Sequence, residues 1–322
     1  MKDVERATGA EATGPEQKAT DAPVSYTVCE LGEKGLYAKG RRRRMLGDAV
    51  RFGYARARAI PSRRRSFLLW TFFAFAYAAG FLALVRPYLC AGAFVSAVAA
   101  EVAWVAFMVW FSYIHLDMVR REDGTPWKSF LLPNGMTLTR LVMVPLVGFA
   151  AAHSAALRAD GDWILWPLVA VVISDILDGQ IARFGKLKSD WGRMADPASD
   201  VYLACWFAAG LWSAGLLPWW LASVIIFRYA GTLVGVFTVW GLGLSIKVRP
   251  TWPGRAANLA VDVYLPFLLA GALRFPSWLG SLWHVWLFRV VAAVVVFNIV
   301  YYFWRLFVWL ARRRHDPNAE PP

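Results

Sequence analysis

The sequence predicts an all-α integral membrane protein, and three observations carry that prediction. Of the 322 residues, 58% are hydrophobic and 18 are Trp. The mean hydropathy is +0.43, too apolar for a water-soluble globule. Long apolar runs recur eight times along the chain, most of them near the roughly 17–25 residues that cross a bilayer. The cations are shared unequally between the loops that join those runs.

Taken in order, residues 1–64 form a polar, basic tail with clusters at Arg41–Arg44 and Arg63–Arg65. Its first stretch is rich in Ala, Thr, Glu and Gly, a composition that cannot bury enough apolar surface to fold, so disorder is expected there. The first apolar run begins near residue 67, too late for a signal peptide. The expected spans are Phe67–Val85 and Ala91–Leu116, then Met136–Ala152, Trp163–Ile181, Val201–Leu217, Trp219–Leu244, Leu259–Leu273 and His284–Leu310. This divides the chain into a tail (1–64), two membrane helices with a linker (65–128), a membrane domain (129–312) and a short C-terminal tail (313–322). Gly231-x-x-x-Gly235 within the sixth run reads as a helix-packing pattern.

The loops orient these spans. Asp117–Leu132, Phe184–Ala195, Ser245–Asn258 and Ala311–Pro322 hold Arg120, Arg121, Lys128, Lys186, Lys188, Arg193, Lys247, Arg249, Arg255 and Arg312–Arg314. The alternate loops carry only Arg86, Arg158 and Arg274. Cations concentrate on the cytoplasmic side of membrane proteins, so both termini are expected there, as in a bacterial-type inner membrane. Trp163, Trp166, Trp219 and Trp220 then fall at the outer interface, where indoles favour the headgroup level. The net charge of +13 is explained by orientation and by contact with anionic lipid headgroups, without nucleic acid as a partner. Cys29, Cys90 and Cys205 show neither metal-ligand nor disulfide spacing, and the four His are scattered.

Four carboxylates stand beside the apolar runs, in Asp175-Ile-Leu-Asp178-Gly179-Gln-Ile-Ala182-Arg183 and Gly192-Arg-Met-Ala-Asp196-Pro-Ala-Ser-Asp200. Ionisable groups near a bilayer are costly and point to function. The spacings, i,i+3 and i,i+4, put each pair on one helix face. Two such faces meeting would form an acidic cage open to a cation. Oxygen donors suit Mg²⁺ or Mn²⁺, and such an ion grips a diphosphate readily.

The same block resembles the signature of the CDP-alcohol phosphotransferases, Asp-x-x-Asp-Gly-x-x-Ala-Arg, eight residues, Gly-x-x-x-Asp-x-x-x-Asp, with every fixed position filled. Upstream, Asn134-x-x-Thr137-x-x-Arg140 is similar to the opening of that family's first core helix. The resemblance covers roughly residues 130–312. It implies a six-helix CDP-alcohol phosphotransferase bundle preceded by two extra transmembrane helices, with a homodimer expected by analogy. It also implies transfer of a phosphatidyl group from CDP-diacylglycerol to an alcohol acceptor, with release of CMP. On this resemblance Asp175, Asp178, Asp196 and Asp200 hold Mg²⁺ or Mn²⁺, and Asp200 also deprotonates the acceptor hydroxyl. Gly179, Ala182, Arg183 and Gly192 would contact the nucleotide.

Other positions leave alternatives open. Arg140, about one turn into its run, is expected to snorkel to the surface. Arg228 lies deeper and is expected to face the bundle, paired with a carboxylate or a substrate phosphate. Lys247, Arg249 and Arg255 either set topology or join Arg228 in holding an acceptor phosphate. Asp262 is either a helix-mouth charge or a partner for those cations. Glycerol 3-phosphate is the first choice of acceptor; inositol phosphate, serine, another alcohol or a second phospholipid are the alternatives. From another class, an ion-coupled transporter would also place aspartates in membrane helices, but distributed along a path rather than gathered at one rim.

Overall fold

A computed structural model describes residues 42–121, 123–241 and 251–313. Among these residues there is no strand, and a lone β-bridge joins Arg120 to Pro126. The long helices are α1 (Arg42–Ala59), α2 (Pro61–Val85), α3 (Ala91–Ile114), α4 (Leu132–Ala152) and α5 (Gly161–Phe184). They continue with α6 (Asp190–Ser213), α7 (Trp219–Gly241), α8 (Trp252–Leu273) and α9 (Leu282–Arg313). The expected spans fall in order on α2–α9. Several helices begin before their apolar run because polar first turns are capped. Ser189 accepts from Gly192 N at 3.1 Å to start α6, and Thr251 accepts from Gly254 N at 3.3 Å to start α8. Proline occupies the first turn of α2, α4 and α8, where its missing N–H is not needed.

By length and composition, 6 of the described helical segments can cross a membrane, corresponding to α2–α5, α8 and α9. Helix α6 differs because its first half carries Asp190, Arg193, Asp196 and Asp200. The chain is an all-α, multi-pass integral membrane protein. Its outward faces agree: Leu69, Phe72, Trp283 and Phe303 are exposed apolar side chains, as are Trp163, Trp166 and Trp219.

Helix α4 is the axis of the assembly. It packs against α2, α3, α5 and α6, and most of its residues from Pro133 to Ala151 are buried. Its closest neighbour is α6. A Cβ on Gly210 would overlap the carbonyl of Gly148, and one on Gly148 would lie 2.6 Å from Trp206 O. Glycine at both positions lets the two backbones touch. Pro145 removes the amide that would bond Leu141 O one turn earlier. Trp104 on α3 supplies the missing donor, its Nε1 lying 2.7 Å from that carbonyl.

The α2–α3 pair is docked on the same end of α4. Ser66 Oγ accepts from Phe130 N at 2.6 Å and donates to Phe130 O at 3.1 Å. Arg63, buried, donates to Val119 O at 3.0 Å. Phe67 packs edge-on against Phe130 (5.2 Å between centroids), and Phe130 against Trp191 (4.9 Å). The indole of Trp70 lies directly on Gly135.

Candidate active site

The site forms where the end of α5 meets the beginnings of α4 and α6. Helix spacing turns Asp175 and Asp178 to one side of α5, and Asp196 and Asp200 to one side of α6. The side chains that join them come from α4. Thr137 Oγ1 lies 2.8 Å from Asp196 Oδ1 and 3.1 Å from Asp178 Oδ2. Arg140 is ion-paired with Asp175. Its Nη2 also stands 3.9 Å from Asp178 Oδ2 and 3.8 Å from Asp200 Oδ1. All four sequence-predicted aspartates therefore belong to one network.

Exposure divides the four. The side chain of Asp178 is 4% exposed, whereas Asp175 and Asp200 are 48% and 43% exposed. The network thus has a closed base and an open rim. Arg140 is 1% exposed and does not snorkel to the surface, contrary to expectation. Charges on α5 and α6 hold it in the bundle, because a guanidinium in a protein interior needs carboxylates around it.

The network is unevenly satisfied. A single hydroxyl proton on Thr137 faces Asp178, Asp196 and the carbonyl of Pro133, so it cannot serve every acceptor at once. Arg140 Nε and Nη2 and Asn134 Nδ2 are buried without a hydrogen-bond acceptor. Spare acceptors on the carboxylates and spare donors on Arg140 stand side by side. Hard oxygen donors in this number fit a divalent cation. Among the described residues no three His, Cys, Asp or Glu groups are drawn together around a common point for a metal. The groups that bring the two aspartate pairs together are Thr137 and Arg140.

The small residues of the motif play different parts. Ser189 Oγ donates to Asn134 Oδ1 at 2.8 Å, and a Cβ on Gly192 would press on that Asn134 oxygen at 3.1 Å. Gly192 therefore sits in a tight place of the chain's own packing. A Cβ on Gly179 would meet only Arg183 Nη1, at an ordinary 3.5 Å. Ala182 is half-buried and Arg183 exposed, folded over Gly179 and outside the aspartate network.

The α7–α9 wall holds the remaining candidates. Arg228 faces the bundle as expected, and among its partners are three neutral groups. Nε donates to Asn298 Oδ1 at 2.7 Å, and Nη2 to Gly254 O at 3.1 Å and to Asn258 Oδ1. Its guanidinium also lies over the Tyr229 ring at 4.6 Å. Asp262, accessible on α8, is within electrostatic reach of Asp175, Arg228 and Arg140. This wall therefore borders the aspartate network. Arg255 is exposed on the first turn of α8, and Lys247 and Arg249 lie outside the described residues.

Sequence reading assigned no chemical role to Asn134, Thr137, Ser189 or Arg140. The signal for three of them was their i, i+3, i+6 spacing, which places them along one face of α4. Ser189 carried only the signature of a helix cap.

Residues 130–297 match the sequence profile of the CDP-alcohol phosphatidyltransferases. The chain belongs to this family. CDP-alcohol phosphatidyltransferases similar to it include a Streptomyces coelicolor protein named cardiolipin synthase (CMP-forming), 32% identical over 153 residues, which are 47% of this chain and 69% of that one. A Mycobacterium tuberculosis protein provisionally named cardiolipin synthase is 29% identical over 204 residues, 59% of this chain and 91% of that one. A Cereibacter sphaeroides protein named CDP-diacylglycerol–glycerol-3-phosphate 3-phosphatidyltransferase is 33% identical over 106 residues, 31% of this chain and 46% of that one. No solved structure matches the chain. The chain is thus a CDP-alcohol phosphatidyltransferase enzyme of phospholipid synthesis, and helices α1–α3 precede the matched region.

Proposed function

We propose that this enzyme transfers the phosphatidyl group of CDP-diacylglycerol to a glycerol hydroxyl, on an acceptor that also carries a phosphate, in a divalent-metal-dependent reaction at the cytoplasmic face. The observation that supports it is the gathering of Asp175, Asp178, Asp196 and Asp200 around Thr137 and Arg140 at one rim of the bundle. Phosphoryl-type transfer asks a protein for alignment and charge neutralisation more than for covalent chemistry, and this rim offers both.

Asp175, Asp178 and Asp196, with Asp200 at the edge, would hold Mg²⁺ or Mn²⁺, which would neutralise the diphosphate and the departing CMP. Asp200, on the open rim, takes the proton of the acceptor hydroxyl as its oxygen bonds to phosphorus and the phosphorus–oxygen bond to CMP breaks. Arg140 fixes the carboxylates of Asp175 and Asp200. Gly179 and Ala182 leave room for the nucleotide, with Arg183 over its phosphates and Gly192 keeping Asn134 in register. Arg228, with Lys247, Arg249 and Arg255, would hold the phosphate of the acceptor, on the wall that carries Asp262.

Two acceptors share this chemistry. Glycerol 3-phosphate matches the reaction in the name of the Cereibacter sphaeroides relative. Phosphatidylglycerol would give cardiolipin, the product in the name of the Streptomyces coelicolor relative. The full chain, supplied with labelled CDP-diacylglycerol and Mg²⁺, should release CMP when one of the two is added and not with serine or inositol phosphate. A water-soluble product identifies neither; a phosphatidylglycerophosphate or a cardiolipin product separates them. CMP release with no acceptor of either kind would refute the proposal.

A further inference from the structure

Helices α2 and α3 leave between them an apolar groove of about 490 Å³, within the roughly 300–1,000 Å³ of ligand-sized cavities. Leu68 and Phe75 of α2 and Val102 and Ala106 of α3 form its walls, and Tyr54 and Tyr113 close one end, their rings 5.5 Å apart. From Leu68 to Phe75 the groove runs about 10 Å along α2, most of the depth of a leaflet about 15 Å thick. Its closed end lies at the start of α2, which Ser66 ties to Phe130. That is the membrane face at which Asn134 and Thr137 begin α4.

Cations surround this end. Arg51 and Arg58 flank Tyr54 at i−3 and i+4 on α1, the same helix face. Arg64 and Arg65 precede Leu68 by four and three residues on α2, again on the groove's face. Arg51, Arg58 and Arg65 are exposed, and none of the four has an ion-pair partner among the described residues. An apolar trough about two thirds of a leaflet deep, with unpaired guanidinium groups at its polar end, is complementary to a lipid with a negatively charged headgroup. A second copy of this chain docked by the same face would bring its own arginines against these, which disfavours it as the occupant.

We propose that the α2–α3 groove binds an anionic phospholipid of the leaflet that borders the active site, one acyl chain between Leu68 and Ala106 and the headgroup phosphate at Arg51, Arg58, Arg64 and Arg65. The site is distinct from the aspartate network, although Phe67 links the two: it lines the groove and packs on Phe130, which packs on Trp191 beside Gly192.

The test uses the full chain in vesicles of equal parts phosphatidylcholine and phosphatidylserine, extracted gently and examined by native mass spectrometry. Wild type should retain phosphatidylserine in preference to phosphatidylcholine. Ala106→Trp, which fills the groove, should lose the retained lipid. The combined Arg51→Gln, Arg58→Gln and Arg65→Gln variant should lower phosphatidylserine retention about tenfold or more. Equal retention of the two lipids by wild type, or undiminished phosphatidylserine on Ala106→Trp, overturns the proposal. Should Ala106→Trp fail to fold, an unchanged phosphatidylserine preference in the arginine variant overturns it instead.

Discussion

Thr137 Oγ1 lies 2.8 Å from Asp196 Oδ1 and so ties α4 to α6 within the aspartate network. The same hydroxyl reaches Asp178 on α5 at 3.1 Å. Thr137→Val keeps the side chain's shape and deletes that shared contact. Groups that orient ligating carboxylates are typically worth about 10–100-fold in activity or metal affinity. CMP release by Thr137→Val should fall within that range, and an unchanged rate would exclude a role for the hydroxyl.

Arg140 is enclosed by this network, with Asp175, Asp178 and Asp200 around it. Removing one partner of a buried ion pair commonly costs about 3–5 kcal/mol, because the other charge is left uncompensated. Arg140→Met should therefore lower the thermal midpoint of the purified enzyme as well as its turnover. Arg140→Lys should recover part of the stability but little turnover, since an ammonium cannot reproduce the planar fork.

Asp200 stands at the open rim, where an acceptor hydroxyl can approach. As the base of the proposed reaction it should contribute about 10²–10⁴-fold to the rate. Asp200→Asn should lose that factor while still binding CDP-diacylglycerol in an equilibrium assay. Turnover equal to wild type would remove Asp200 from the proton transfer. Chelation by EDTA should abolish CMP release, and added Mg²⁺ or Mn²⁺ should restore it.

The two glycines of the motif should behave oppositely. Gly192→Ala presses a methyl on Asn134 Oδ1 and should destabilise the start of α6, read as a lower thermal midpoint. Gly179→Ala meets only the movable end of Arg183 and should leave the midpoint unchanged. Its expected effect is a higher KM for the CDP-lipid, with KM for the acceptor held.

Much of this was legible in the sequence. The apolar runs gave the helices because lipid exposure leaves a long uninterrupted signature, as on α2, α3 and α9. The motif gave the aspartates because fixed offsets on two helices dictate which faces they share. The sequence could not show that Thr137 and Arg140 would come between the aspartate pairs. That arrangement depends on the crossing of α4 with α5 and α6, which is a tertiary fact. Arg140 illustrates the ambiguity: an arginine one turn into an apolar run looks the same whether it reaches outward for water or inward for carboxylates. Arg228 shows another limit, since the amide oxygens of Asn258 and Asn298 that hold it are distant in the chain.

The glycine contact between Gly148 and Gly210 has a mechanical corollary. With no side chain to act as a cushion, α4 and α6 share a rigid fulcrum. It lies about 12 Å along α4 from Arg140, at 1.5 Å per residue. A methyl added there would tilt one rod against the other, and the tilt would reach the far end of both as a misalignment of Thr137 with Asp196. Substitutions deep in the bilayer, touching no substrate, can therefore silence the enzyme by spoiling the registry of its acidic rim.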